Sequence, residues 1–395
     1  MTELPEVARR AELLLAAPAG RGLLAELSGV SFPSLLDVLG LPYPPNIGRY
    51  TSEPSRGKRR RPRTVFGRRI IFDPLHLTTR ATKRAATTHR AAVSEVSPDD
   101  ARDAVRRVID NTVSPRRVDV RDPAAVHEAL SHLVEGFGFR GNEREYDGLL
   151  AAALDELRPV AMALVASPAS KWWWDDLLRE DQRFAVRVTD QSTGPPHGDQ
   201  VVEQAGNAPE QLRSEEAAAR SRFRSSSDVP ANASGHWWSI PVPGMWTSRA
   251  VASVPALHLA CAEETGNDPV VVWSLRISPG ARVFEVREPS DWGRLVEMAP
   301  VDVTMSRLGD WRGWTGQVGP FYLPDWRVVA EHLDGIHVTV GGYLTTRSLP
   351  VRVGDGYSVP AGWDPDATLW LRDVFEATER VGEWESHFSF YGKEL

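Results

Sequence analysis

Fourteen tryptophans are distributed so unevenly that they divide this 395-residue chain in two: none precedes Trp172, and eleven lie from Trp237 onward. Trp is the bulkiest side chain, burying roughly 150–250 Å² apiece, and its indole N–H asks for a partner inside the fold. A segment carrying eleven of them must pack them into a core or hold several as a stacking surface. The residues before Trp172 must build their interior from Leu, Val and Ala instead. Hydrophobic residues at 42 % and charged residues at 25 % are ordinary for a globular chain, which excludes collagen-like, wholly disordered and membrane-bundle readings.

The first half reads as helical. Leu13, Leu14, Leu15, Leu23, Leu24 and Leu27 lie in an Ala-rich stretch interrupted by Pro18 and Gly20, which predicts two short helices. Ser97-Pro98-Asp99-Asp100 combines an N-cap hydroxyl, a first-turn proline and acids at the positive end of the helix dipole. Ala101, Ala104, Val105, Val108 and Ile109 then fall on one face. Asp122-Pro123 opens another helix, with Val126, Ala129, Leu130, Leu133 and Val134 as its stripe. A third is expected from about Tyr146 to Leu164, broken near Pro159.

The composition then changes twice. From Gln191 to Ser234 the chain is polar and punctuated by Gly194-Pro195-Pro196, Gly206-Asn207 and Ser225-Ser226-Ser227, with one short helix expected around Glu210 to Arg222. Beyond it the chain alternates. Residues 270–277, the Pro279-Gly280 turn and residues 282–286 read as strand, turn and strand. Residues 337–340 and 349–353 suggest further strands, and Asp325 caps a helix over 326–333. The expected architecture is α+β: a mainly helical domain over 1–190, a polar linker over 191–234, and a Trp-rich mixed-sheet domain with helices over 235–395.

A net charge of −7 hides a basic arm. Residues 56–90 hold twelve Lys or Arg against the single acid Asp73. Lys58, Arg59, Arg60, Arg61 and Arg63 are its densest part, suited to the phosphates of a nucleic acid or to the chain's own acidic half. One cysteine, Cys261, leaves no internal disulfide and points to the cytoplasm; no apolar run reaches the ~18 residues of a membrane span, so no membrane contact is expected. No Cys/His cluster has the spacing of a structural zinc site, and no metal is expected.

The polar residues among the late tryptophans are the functional candidates. Trp238, Arg249, Arg307, Trp311 and Trp326, with Asp310 and His337, could build a pocket in which indoles stack on a base or nicotinamide ring and Arg holds a phosphate. Cys261, His337 and Asp364 also follow the order of a thiol enzyme, but Cys261 lies in an apolar stretch that reads as a buried helix.

Trp246-Thr247-Ser248 before two strands, the second led in by Ser278-Pro279-Gly280, resembles the Ser-Thr-Ser strand and following β-core of the ADP-ribosyltransferase superfamily. That resemblance implies an NAD-dependent transferase modifying a nucleic acid or a protein. Arg187, on the strand from Phe184, would hold the NAD phosphates, and Ser248 would lie beside the dinucleotide. Glu285 or Glu288 would be the carboxylate that polarises the nicotinamide ribose, with His337 and Asp310 as further catalytic candidates. A second placement uses Arg276, Tyr343-Leu344-Thr345-Thr346, and Glu376 or Glu379. The alternative is a non-catalytic recognition module, in which a Trp-rich pocket binds a ligand or partner while the basic arm contacts a polyanion.

Overall fold

A computed structural model describes residues 3–42, 88–111, 118–136, 143–188, 198–230, 236–241, 245–251, 254–261 and 269–384. The fold is α+β, as the segregation of helical and alternating patterns predicted. The basic block at 58–63 lies outside the described residues.

The leucine-rich start forms α1 (Glu3–Ala16) and α2 (Pro18–Leu27), divided at Pro18 as expected, followed by α3 (Phe32–Leu39) and α4 (88–94). Both proline-led starts fold as read, into α5 (Pro98–Asn111) and α6 (Pro123–Gly136). Ser97 Oγ accepts from the Asp100 N–H at 3.1 Å. The third expected helix divides elsewhere than predicted, into α7 (Glu143–Ala151) and α8 (Leu154–Val165). Pro159 lies inside α8, and the break falls just before Asp155 and Glu156, whose charges suit a helix N-terminus. Arg21 of α2 forks onto both carboxylate oxygens of Asp147 in α7, each at 2.7 Å, which staples the bundle.

A 3₁₀ turn, Lys171–Trp174, leads to β1 (Gln182–Arg187). The stretch read as a polar linker instead contains α9, a 25-residue helix over Gly198–Arg222, twice the length expected there. Then come β2 (Met245–Thr247), α10 (Leu257–Ala260), β3 (Val270–Ile277) and β4 (Val283–Val286). Cys261 caps α10 and is buried, in keeping with a structural thiol.

After β4 follow α11 (Pro289–Glu297), β5 (Pro300–Asp302), α12 (Thr304–Thr315), β6 (Tyr322–Pro324), α13 (Trp326–His332), β7 (Gly335–Val338) and α14 (Val340–Thr346). Strands β8 (Val351–Val353), β9 (Gly356–Ser358), β10 (Ala367–Trp370) and β11 (Phe375–Trp384) complete the described chain. Tyr343 to Thr346 is therefore helix, which removes the strand that the second motif placement needed.

The strands at 270–277 and 283–286 form as read but do not pair across their turn. β3 is the middle of an antiparallel sheet ordered β1-β3-β11, while β4 joins the sheet β2-β10-β7-β4 by pairing parallel to β7. The reason is burial on both sides. Leu275 and Ile277 of β3 pack with Met245 and Trp370 of the other sheet, so the connection crosses between two stacked layers. An isolated bridge between Arg183 and Ser248 ties the layers at one corner.

Half of the tryptophans fill the interior. Trp173, Trp174, Trp292, Trp311, Trp326, Trp363 and Trp370 are buried. Trp363 meets Trp246 and Trp292 edge-on, with ring centroids 5.0 and 5.7 Å apart. Several indole N–H groups find the partner that burial demands: Trp292 donates to Ser358 Oγ, Trp363 to Ser239 Oγ and Trp370 to Thr247 Oγ1. One buried apolar cluster runs from Leu14 and Leu24 through Trp173 and Trp174 to Tyr343, Trp363 and Leu371, so the helical bundle and the sheets share a core. Among the described residues, no single helix is long and apolar enough to cross a membrane.

Candidate active site

Strand register brings one row of polar residues across the second sheet. Glu285 of β4 lies opposite His337 of β7, His337 opposite Thr368 of β10, and Thr368 opposite Thr247 of β2. Side chains alternate along a strand, so the row shares one face, while Ile336, Val338 and Leu369 point to the apolar core on the other. The face with the polar row is the one that meets the first sheet. Leu177, just after the 3₁₀ turn, donates its N–H to Glu285 Oε1 at 3.1 Å. Thr247 Oγ1 donates to Gln182 Oε1, at the start of β1, at 2.6 Å.

His337 is the centre of this row. Its Nδ1 is 2.6 Å from Glu285 Oε2 and its Nε2 is 3.3 Å from Asp366 Oδ1. Two carboxylates on opposite edges of one imidazole are both satisfied only when both nitrogens carry hydrogen. Burial disfavours the imidazolium, but the hydrogen bonds and charges of Asp366 and Glu285 outweigh it and raise the His337 pKa to about 9. Asp366 is in turn held by Arg249, whose backbone N–H donates to Oδ2 at 2.9 Å and whose Nε donates to Oδ1 at 2.8 Å. The Arg249 guanidinium lies over the Trp172 ring, 4.5 Å from its centroid.

The result is a linear array, Glu285–His337–Asp366–Arg249, of alternating charge. Its middle is closed, with His337 and Asp366 side chains 0 % and 1 % exposed, while Glu285 and Arg249 at the ends are 11 % and 10 % exposed. Arg249 Nη2 is buried and has no hydrogen-bond partner among the described residues, and neither has Thr368 Oγ1 in the row. Asp366 adopts a left-handed backbone, φ 57°, which Asp tolerates better than most residues, and the Arg249 N–H fixes its carboxylate there. Sequence reading did not single out Asp366; its only signal is a second aspartate just past Pro365, immediately before an apolar strand.

Of the candidates named from sequence, this array gathers Glu285, His337 and Arg249, with Ser248 alongside, buried next to Arg249. Arg187 lies on β1; only its backbone is described. Glu288 is elsewhere employed: it is the N-cap of α11 and pairs with Arg9 of α1.

Arg307, Trp238 and Trp311 belong to a different network. Arg307 Nη2 donates to Glu215 of α9 at 2.8 Å and its Nε to the Trp238 carbonyl at 3.2 Å. Trp311 Nε1 donates to the Trp237 carbonyl at 2.7 Å. Asp310 shares their helix α12 and is buried, and Trp326 sits at the start of α13 with Asp325 as cap, its ring 6.4 Å from that of Trp363. Around this network Trp237 meets both Trp238 and Trp314 edge-on, and His236 meets Trp238 likewise; all four are half-buried.

Among the described residues, no three or more His, Cys, Asp or Glu are grouped to hold a metal ion. No protein-family model, no curated protein and no solved structure matches this chain.

Proposed function

We propose that this chain is a glycosyl-transfer enzyme of ADP-ribosyltransferase type that takes an NAD-like dinucleotide as substrate, with Glu285, His337, Asp366 and Arg249 as its polar centre. The observation that carries this reading is the convergence of residues from four separated stretches onto one array of two carboxylates and two cations. In such a transfer the bond from ribose C1′ to nicotinamide nitrogen breaks, its electron pair leaves with nicotinamide, and the sugar becomes oxocarbenium-like. A carboxylate at the edge of the array, Glu285, stabilises that positive charge, and His337 holds the carboxylate in place. Arg249 Nη2, buried and without a hydrogen-bond partner among the described residues, would bind a phosphate oxygen that enters beside the Trp172 ring. The acceptor would be a nucleophile on a protein or nucleic acid, and the basic residues 58–63 would draw in the latter. A cytoplasmic setting, where NAD is present and the lone Cys261 stays reduced, belongs to the same proposal.

The test is incubation of the full chain with adenine-labelled NAD and cell extract. Nicotinamide release and label transfer are expected, with Glu285→Gln lowering both by about a hundredfold, the scale of losing one transition-state electrostatic contact. An unreactive wild-type chain overturns the reading. A recognition module is the second reading, favoured by the half-buried group of Trp237, Trp238, Trp314 and His236. It predicts ligand quenching of tryptophan fluorescence with no turnover.

A further inference from the structure

Over residues 207–222, helix α9 meets the body through several charged contacts as well as apolar ones. Among its described side chains the buried apolar ones are Ala208, Pro209 and Leu212. Its polar contacts are more numerous. Glu216 accepts from the Met305 and Ser306 N–H groups at 3.0 and 2.8 Å, capping the first turn of α12 from outside that helix. Arg220 bridges Glu216 and Asp302, at 2.8 and 2.7 Å. Arg213 reaches Asp325, the N-cap of α13, at 2.7 Å.

Glu215 goes deepest. It accepts from Arg307 Nη2 at 2.8 Å and from Gln211 Nε2 at 2.9 Å, and His236 Nδ1 lies 3.2 Å away. Arg307 is fully buried beneath it, and Arg307 Nη1 has no partner among the described residues. A guanidinium presents Nη1 and Nη2 as a fork suited to two oxygens of one anion, and Glu215 fills only half of it.

An ion pair taken out of water loses about as much hydration as it gains in attraction, and the pairs of Arg213 and Arg220 join an exposed guanidinium to a buried carboxylate, so each holds α9 by a modest amount. When α9 departs, Arg307 stays with the body and loses Glu215, which leaves its guanidinium to draw an anion into the vacated place.

We propose that α9 is a releasable strap and that Glu215 is an internal carboxylate occupying an anion site built on Arg307. When the strap lifts, a phosphate or carboxylate group with two free oxygens takes the place of Glu215 across Nη1 and Nη2. Trp237 and Trp311, linked by their hydrogen bond beside the site, are natural reporters.

The experiment uses the full chain with pyrophosphate and citrate as probes, read by tryptophan fluorescence, alongside limited proteolysis. Arg213→Ala with Arg220→Ala loosens the strap without touching Arg307. It is expected to raise cleavage within 198–222 and to tighten binding of a probe, each by about tenfold, because both follow the open population. Pyrophosphate alone identifies a phosphate site, and both probes together a general anion site. Adding Arg307→Lys must then abolish the gain. Glu215→Gln provides a second way to free the site. Cleavage of α9 no faster than at other sites overturns the strap, and binding that survives Arg307→Lys overturns the anion site and assigns the probe to the basic arm.

Discussion

A buried histidine between two acids makes the stability of this protein depend on pH in a direction opposite to that of most paired carboxylates. His337 has a folded pKa raised from 6.5 to about 9. The folded state therefore binds its proton more tightly than the unfolded state does. The associated stability is fully present below 6.5 and is lost as pH rises through about 9, a change on the order of 3 kcal/mol. The urea midpoint is expected to fall across that window, and His337→Gln to flatten the dependence; a flat wild-type profile would contradict the imidazolium. Glu215 gives the mirror image. Burial tends to raise its pKa, but the imidazole of His236, 3.2 Å away, and the Arg307 charge lower it from 4.5 to about 2. Its contribution is present above 4.5 and is lost as pH falls through about 2, so protease sensitivity within α9 should rise in acid as that carboxylate is protonated.

Elements whose ends carry their own signals fold where those signals lie. Ser97 and Asp122 start α5 and α6, and Asp325 caps α13 by accepting from the Arg327 and Val328 N–H groups. These are contacts between near neighbours in the chain, so residue order alone specifies them. α14 is different, because its glycines answer to distant partners. A Cβ on Gly342 would lie 2.0 Å from the Val286 carbonyl oxygen, and one on Gly341 2.2 Å from Trp174 Nε1. The helix packs this closely against β4 and the 3₁₀ turn only because no side chain intervenes. Gly342→Ala is expected to destabilise by about 3 kcal/mol or more, since the obstacle is backbone and cannot rotate away. Gly148→Ala, in α7 with open space around it, should be neutral or stabilise by roughly 0.5–1 kcal/mol. Thermal melts of the pair check both; equal effects would show that the close approach of α14 does not matter.

Across the whole molecule, the shared core predicts one cooperative transition. Leu14 and Leu24 of the helical half lie in the same buried cluster as Tyr343 and Trp363 of the sheet half, and Ser131 of α6 donates to the Ala260 carbonyl of α10. Far-ultraviolet circular dichroism, weighted to the helices, and tryptophan fluorescence, weighted to the sheets, should therefore give coincident unfolding curves. Separated midpoints would mean that the two halves melt independently. Within this molecule, residue order alone determined the class of several segments: the stripe on α5, the β-branched apolar run of β3 and the proline break between α1 and α2 are patterns and local steric rules that a chain carries with it. It also marked His337 and Arg249 as polar residues worth following among the tryptophans, and Glu285 through the resemblance to the ADP-ribosyltransferase β-core. Tertiary structure alone decided that β3 and β4 enter different sheets, that a punctuated polar stretch contains a long helix, and that half of the tryptophans are buried core. It also chose Asp366, 117 residues from Arg249, as the acid that joins the array. Pairing between strands and the neutralisation of buried charge are settled by which surfaces meet in space, and no local pattern encodes that meeting.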